Sequence, residues 1–329
     1  MQSRFSETSR RRCLITLSSV TLALCGSMSQ GAWAKTPFPD KPLRIVVPFS
    51  AGSGADIFAR YIGKKLGSIL EQSVVVTNRP GADGAIAVRD MESEPADGYT
   101  ILMGTNTPMA ANVATMKNMP YDAVNDVIPI YGITRTMAVL VVPEDSPLKS
   151  LKDLETHASS LNMGIYSVSY QLAAAPMGPR LRQPIQMVTY KGLSQTVTDL
   201  IGERLDLAFI DSPGAVPLVK SGKVRALAVT GESRHAEMPD VPTLAESGYA
   251  DSVHYGWTAL WVLAKTPADR VAALETAMQT AMNDAETKDF IKTNAAEPMP
   301  YDATRMRKFQ ADEIARFRRA VQTSNYELR

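Results

Sequence analysis

One stretch organises the rest of the sequence: residues 48–56 read PFSAGSGAD. The apolar run from Leu43 to Phe49 predicts a buried strand that leads into it, and the amphipathic residues from Asp56 to Leu70 predict a helix directly after it. Gly52 and Gly54 allow the backbone to approach a ligand, and the unpaired amides at the helix start offer hydrogen-bond donors to an anion. A tight turn without a ligand is the alternative, because small-residue turns are common in α/β folds.

This first loop departs from the motifs that bind nucleotides or support ester hydrolysis. A dinucleotide fingerprint needs a third glycine where Ile57 stands and an acid where Asn78 ends the second strand. A P-loop needs a Gly-Lys-Ser/Thr ending, and a nucleophile elbow needs a glycine at Ala51. Asp56 fits the N-cap of the helix. The loop therefore predicts a site for a small anion and no cofactor.

Short apolar runs alternate with amphipathic stretches along the rest of the chain, which favours an α/β fold with parallel strands and crossover helices. Further strands are predicted at Val74–Asn78, Tyr99–Gly104, Val139–Val142, Met163–Tyr166, Ile185–Tyr190, Leu205–Ile210, Val224–Thr230 and Trp257–Leu263. Helices are predicted at Leu148–Ser159, Leu193–Ile201, Gly214–Val219, Ala268–Asp284 and Asp302–Thr323. Two doubly wound sheets accommodate this count better than one sheet does.

The late strand and the helices after it predict a discontinuous first lobe. We expect the chain to cross between lobes near Thr136–Val139 and again near Val253–Trp257. Lobe 1 then comprises residues 35–138 and 254–329, and lobe 2 comprises residues 139–253. Two lobes joined by two strands predict a hinged clamp around a cleft.

The composition is that of a globular protein, with 45% hydrophobic and 21% charged residues among 329. The net charge of +1 excludes the strong positive field of a general nucleic-acid binder or a polybasic membrane binder. A charged ligand must therefore be held by local groups.

The N-terminus has the three zones of an export signal. Four arginines within residues 1–12 precede a mildly apolar run from Leu14 to Met28, and the small-residue motif Ala32-Trp33-Ala34 follows. Cleavage after residue 34 would remove four basic residues and one acidic residue. The mature chain would then carry 31 basic and 33 acidic residues, a net charge near −2. The arginine run also fits a twin-arginine signal, so both export routes stay open, and a buried N-terminal helix is the alternative.

Other reactive side chains do not assemble into a predicted centre. Cys13 and Cys25 both lie in the signal, which removes disulfides and thiolate chemistry from the mature chain. His157, His235 and His254 lack metal-ligand spacing, and this favours surface or packing roles. The irregularly spaced methionines are typical of core fillers rather than a copper site.

Six further motifs follow the first loop in order: NRPGADG at 78–84, DGYT at 97–100, YD at 121–122, YKG at 190–192, SGKVRALAV at 221–229 and PDVPT at 239–243. Together they resemble the receptors of tripartite tricarboxylate transporters, the Bug-type periplasmic solute-binding proteins. The resemblance runs from about Phe38 to the C-terminus. It implies a two-lobed periplasmic-binding-protein-like fold, with two doubly wound sheets joined by two crossing strands.

The resemblance also implies a function. Such a protein is a periplasmic, non-catalytic, monomeric receptor that captures a small organic carboxylate and presents it to the membrane subunits of the transporter, with no nucleic-acid partner. In these receptors first-loop amides help to hold one carboxylate, often through waters, and lobe 2 closes over the rest. The positions that match the family's ligand-binding sites are Ala51, Gly52, Ser53, Asp56, Thr105, Asn106, Thr107, Ser167, Ser169, Tyr190, Lys191, Gly192 and Asp211.

Two loops depart from the family pattern. The first loop has Ser50 and Gly54 where the family has proline. The lobe-2 loop, usually Ser-Gly-x-Gly-Ser, reads YSVSYQL over residues 166–172, so two glycines are absent and tyrosines stand beside the serines. Bulk at Tyr166 or Tyr170 narrows the space for a carboxylate, but a phenol also stacks on a flat ligand or donates a hydrogen bond.

The sequence leaves two other functional classes open. A receptor of the same fold can feed a signalling protein instead of a permease. A periplasmic enzyme could use Asp56 or Asp211 as a base, but no residue pair has the spacing that activates a nucleophile.

Overall fold

The computed structural model describes residues 38–249, 252–324 and 326–328. The predicted export signal and both cysteines lie outside these residues. In the part of the chain that is described, no helix combines the length and the apolar character needed to cross a membrane.

The strands pair continuously in the order β2-β1-β3-β9-β4-β7-β5-β6, with β8 and β10 also paired to β4. They are β1 (Leu43–Val47), β2 (Val74–Asn78), β3 (Thr100–Thr105), β4 (Val127–Pro143), β5 (Leu161–Ile165), β6 (Ile185–Thr189), β7 (Leu207–Asp211), β8 (Val224–Val229), β9 (Tyr255–Leu263) and β10 (Glu297–Pro298). β1 pairs in parallel with β2 and β3, and β5 pairs in parallel with β6 and β7. The mixed α/β fold predicted from the sequence is confirmed, although β4, β8 and β9 pair antiparallel with their neighbours.

β4 joins the two groups of parallel strands. Its residues Val127 to Met137 pair with β9, and Ala138 to Pro143 pair with β7 and β8. The sequence predicted only the segment Val139–Val142, because proline, glycine and polar residues interrupt the apolar pattern before it. Pairing with β9 stabilises this segment as a strand where its own strand propensity is low.

The longer helices are α1 (Gly54–Leu70), α2 (Ala85–Glu92), α6 (Leu193–Ile201), α7 (Ser212–Lys220), α8 (Ala268–Asn283), α9 (Ala285–Thr293) and α10 (Ala303–Thr323). Shorter ones are α3 (Asn112–Thr115), α4 (Leu151–Thr156) and α5 (Val168–Ala174). A π-helical turn, Thr107–Ala111, precedes α3, and 3₁₀ turns occupy Ala82–Gly84 and Ala175–Arg180. α1 packs on α8, and α10 packs on β4 and the π-helical turn.

The start of α1 corrects one prediction. Ser53, not Asp56, is the N-cap: its backbone is extended, and its hydroxyl accepts the Asp56 amide at 3.4 Å. The helix therefore begins two residues earlier than predicted. Asp56 is the third helical residue, and its carboxylate accepts the Gly52 amide at 3.0 Å. Serine and aspartate thus satisfy two amides at this end of the helix.

The core consists of two clusters of buried side chains. The larger extends over both strand groups and includes Ile45, Phe58 and Phe209, and the smaller surrounds Trp257 and Trp261. The predicted core role of the methionines is confirmed at Met103, Met109 and Met137, which are buried. With both groups of strands fixed in this core, the carboxyl ends of β1, β3, β5 and β7 meet at one place.

Candidate functional site

The loops after β1, β3, β5 and β7 enclose a cavity of about 40 Å³, which is room for about three water molecules. β4 and β9 close its back. The lining residues are Phe49, Ser53, Gly54, Ala55, Phe58, Thr105, Asn106, Thr136, Tyr166, Ser167, Ser169, Tyr170, Asp211, Gly256, Trp257 and Thr258. Among these lining residues there is no Lys, Arg or His. The polar side chains of the lining are therefore neutral, apart from one acid.

Thr105 and Asn106, at the end of β3, form what we call the donor wall. Their side chains are 4% and 6% exposed. The Thr105 hydroxyl and the Asn106 side-chain nitrogen are buried and make no hydrogen bond to any described residue. Buried donors are nearly always paired, because leaving one unpaired costs about 1–3 kcal/mol. These two neighbouring donors are therefore available to a hydrogen-bond acceptor in the cavity.

Tyr166, Tyr170 and Asp211 form the opposite side, which we call the acceptor wall. The Asp211 carboxylate accepts the Gly54 amide at 3.0 Å and the Tyr166 hydroxyl at 3.1 Å. The Asp211 amide in turn donates to the Tyr166 oxygen at 3.1 Å, and the two tyrosine oxygens lie 3.4 Å apart. Burial raises the pKa of Asp211, and hydrogen bonds from Gly54, Tyr166 and Gly214 offset part of that rise.

Gly54 is required at its position for a steric reason. A Cβ atom on this residue would lie 2.5 Å from an Asp211 carboxylate oxygen. Any side chain there would displace the carboxylate from the start of α1. The contact joins residues 157 positions apart and connects the two strand groups across the cavity.

The predicted residues of the first loop divide between the cavity and its support. Ser53 lines the cavity, whereas Ala51 and Gly52 are exposed at its rim. Gly52 has φ +82°, a conformation that glycine adopts without strain. Asp56 is buried outside the cavity lining, where Arg60, the Gly52 amide and Asn78 donate to its carboxylate.

These bonds determine the charge state of Asp56. Burial by itself raises the pKa of Asp56, but the hydrogen bonds from Arg60, Gly52 and Asn78 together lower it below its usual value. An ionised Asp56 that is already saturated with donors holds the shape of the first loop. Its carboxylate does not face the cavity.

Further hydrogen bonds cross the cavity mouth. The Thr107 hydroxyl lies 2.5 Å from that of Ser167, and the Ser167 and Ser169 hydroxyls are 2.7 Å apart. The Val168 amide donates to the Asp83 carboxylate at 3.1 Å. With the Gly54–Asp211 contact, these bonds link the loops on the two sides of the cavity.

A second pocket of about 180 Å³ adjoins the first and shares Phe49 and Tyr166 with it. Tyr190 and Lys191 line this neighbouring pocket, but the Tyr190 hydroxyl donates to Asp199 at 2.8 Å. Lys191 is exposed and forms no ion pair with any residue that the structure describes. Gly192 packs against Ser50.

The structure thus brings six predicted residues to one cavity: Ser53, Thr105, Asn106, Ser167, Ser169 and Asp211. Sequence reasoning did not assign the back of the cavity, where Thr136 and Trp257 lie. The available signal was their position in the two predicted crossings. Tyr166 and Tyr170 were noted only as departures from a motif. Among the described residues, no group of three or more His, Cys, Asp or Glu side chains is placed to hold a metal ion.

An α/β fold with a cavity lined by the loops of two strand groups is typical of solute-binding receptors. Residues 58–326 match the family model of the tripartite tricarboxylate transporter family receptor. The chain belongs to that family, as its motifs predicted.

Three similar proteins are informative. BugT of Bordetella pertussis is 29% identical over 299 residues, which cover 89% of this chain and 92% of BugT. A solved structure described as a periplasmic transporter has 28% identity and a TM-score of 0.83, covering 89% of this chain and all of its own. The R. palustris protein Rpa4515, solved with adipate, has 29% identity and a TM-score of 0.84, covering 88% of this chain and 99% of its own.

Proposed function

We propose that this chain is a periplasmic receptor that captures a small organic carboxylate and delivers it, chemically unchanged, to the membrane subunits of a tripartite tricarboxylate-type transporter. The observation that carries the proposal is the pair of buried, unpartnered donors on Thr105 and Asn106. Membership of the receptor family and the adipate bound to Rpa4515 support the choice of a carboxylate.

The proposed binding mode assigns each wall a task. One ligand carboxylate accepts hydrogen bonds from Thr105 and Asn106, and a bond to a charged acceptor is about twice as strong as a neutral one. A six-carbon chain exceeds the room for about three waters in the cavity. The rest of such a ligand passes Phe49 and Tyr166 into the neighbouring pocket, where Lys191 is available to a second carboxylate.

The remaining predicted residues surround the bound ligand. Ser53, Ser167 and Ser169 add hydroxyls beside the ligand. The other predicted positions shape or close the site: Ala51, Gly52, Asp56, Thr107, Tyr190 and Gly192. Residues 35–138 with 254–329, and residues 139–253, are then the two lobes of a monomeric clamp. The ligand shifts the clamp toward closure only by its higher affinity for the closed form.

The first test identifies the ligand and removes one donor. Mass spectrometry of small molecules released from undialysed protein should yield a carboxylic acid, and calorimetry should show that this acid binds. Thr105→Val, which deletes one of the unpaired hydroxyls, should weaken binding at least about tenfold, the lower end for a hydrogen bond to a charged group.

Thr77→Val is the matched control, because Thr77 also has a buried, unpartnered hydroxyl but does not line the cavity. It should bind like the parent protein. Equal binding by both variants, with both folded by circular dichroism, would place the site elsewhere.

The second test concerns export. The three-zone N-terminus should be removed after residue 34, which leaves Lys35 as the first residue of periplasmic material. N-terminal sequencing checks this. An intact Met1 or a lipid on Cys25 would contradict it.

A further inference from the structure

Asp211 is the part of the cavity that the carboxylate-binding mode leaves unexplained. Its side chain is 8% exposed, and no cationic side chain lines the cavity beside it. Its carboxylate accepts hydrogen bonds from the Gly54 amide, the Tyr166 hydroxyl and the Gly214 amide, and its own amide lies beside the carboxylate while donating to the Tyr166 oxygen. An ionised carboxylate has about four acceptor positions, so roughly one remains for whatever occupies the cavity.

The donor wall and Asp211 share one cavity of about 40 Å³. A ligand carboxylate held by Thr105 and Asn106 therefore lies within a few ångströms of the Asp211 carboxylate. Two carboxylates repel strongly in a site shielded from water, and the repulsion favours a proton on one of them. A hydroxyl or ammonium group on the ligand would replace this repulsion with a hydrogen bond.

We propose, building on the function proposed above, that the ligand carries a hydrogen-bond donor beside its bound carboxylate and presents it to Asp211. The chain thereby selects hydroxy- or amino-substituted carboxylates over unsubstituted ones. Asp211 is the specificity-determining residue, and Tyr166 positions it. Hydroxyl and ammonium groups both donate a hydrogen bond, and the experiment below distinguishes between them.

The protonation state of Asp211 should depend on which ligand is bound. The titratable side chains that face Asp211 are Tyr166, directly after β5, and Tyr170 from α5, and the first residue of α1 presents its amide. Burial raises the pKa of both tyrosines, so they remain neutral as the pH changes. Burial also raises the pKa of Asp211. An unsubstituted carboxylate should therefore bind with uptake of a proton by Asp211, and its affinity should fall as pH rises. A donor-bearing ligand leaves Asp211 ionised, so its affinity should change little.

Calorimetry with two matched series of probes tests the proposal. The four-carbon series is succinate, malate and aspartate, and the six-carbon series is adipate, 2-hydroxyadipate and 2-aminoadipate. In the series that binds, a substituted member should bind at least tenfold more tightly than the unsubstituted one. Titration in buffers of different ionisation enthalpy should show proton uptake only for the unsubstituted member, a readout that needs no variant.

Asp211→Asn should bring the affinities within about threefold of one another. The new amide keeps the shape of the side chain, accepting from Gly54 and donating to the Tyr166 oxygen. Glu155→Gln is the matched control, because the Glu155 carboxylate also accepts a tyrosine hydroxyl, that of Tyr249 at 2.7 Å, but does not line the cavity. The preference for substituted ligands should persist in this variant.

The outcomes separate the two proposals. An unsubstituted acid that binds as tightly as its substituted analogues, without proton uptake, overturns the role of Asp211 and leaves the carboxylate receptor standing. A preference that survives Asp211→Asn also overturns it. No binding by any of the six probes would count against the carboxylate ligand itself and against this inference together.

Discussion

The two walls of the cavity differ in how their polar groups are satisfied. On the donor wall, Thr105 and Asn106 carry buried donors with no partner among the described residues. On the acceptor wall, Asp211 and Tyr166 are linked to each other and to the start of α1. An unpaired donor costs the empty protein stability that a ligand can restore, whereas a paired network stabilises the fold. One wall therefore carries donors that the described residues leave unpaired, and the other carries a network that holds its own shape.

The largest expected effect comes from breaking the donor wall. Asn106→Leu removes an amide whose nitrogen makes no hydrogen bond to any described residue. We expect binding of the native carboxylate to weaken by about 10- to 100-fold, because a hydrogen bond to a charged group contributes about 1.5–3 kcal/mol. Calorimetry measures the loss. Thermal unfolding of the empty protein should not show destabilisation, and a large drop there would mean that the amide has a structural partner.

The next effect tests the acceptor wall. Tyr166→Phe deletes a hydroxyl that donates to the Asp211 carboxylate and accepts its amide. The free energy of unfolding should fall by about 1–3 kcal/mol, since a buried acid and a buried amide each lose a partner. Denaturant unfolding measures it.

Tyr170→Phe is the matched comparison, because the Tyr170 hydroxyl makes only a 3.4 Å contact with Tyr166. Its cost should be clearly smaller. Equal costs would mean that the network extends through both tyrosines.

The smallest effect concerns the packing around the acceptor wall. The His254 ring contacts Tyr170 and Phe317 edge-on, with centroids 6.1 Å away in each case. Both ring nitrogens are buried and make no hydrogen bond within the described part of the chain. Burial lowers the pKa of His254 well below its usual value, and Arg316 lowers it further. Below about pH 6.5 the unfolded chain binds a proton that the native ring does not.

The free energy of unfolding should therefore fall as pH drops from about 6.5, by at most about 1.4 kcal/mol per pH unit. His254→Leu should flatten this slope between pH 5 and 6.5. Thermal unfolding across that range checks it. Identical slopes in the two proteins would show that His254 is protonated in the native state.

Local sequence was sufficient where one segment determines its own structure. The strand from Leu43, the small-residue turn and the helix to Leu70 were all predicted, because apolar periodicity and small-residue turns act within a few residues. It was insufficient at β4, where Val127 to Met137 form a strand through pairing with β9. The N-cap was also misassigned, since Ser53 and Asp56 are both good capping residues and only the backbone conformation at Ser53 distinguishes them.

The sequence by itself determined the α/β class, the family and six of the sixteen residues that line the cavity, because strand ends and ordered motifs are local features. Only the tertiary structure decided which of those positions share a cavity and which of their polar groups lack partners. Gly54 and Asp211 lie 157 residues apart, and their contact depends on the packing of two strand groups around β4. Whether Thr105 is paired likewise depends on every chain segment around it, and no local pattern records that.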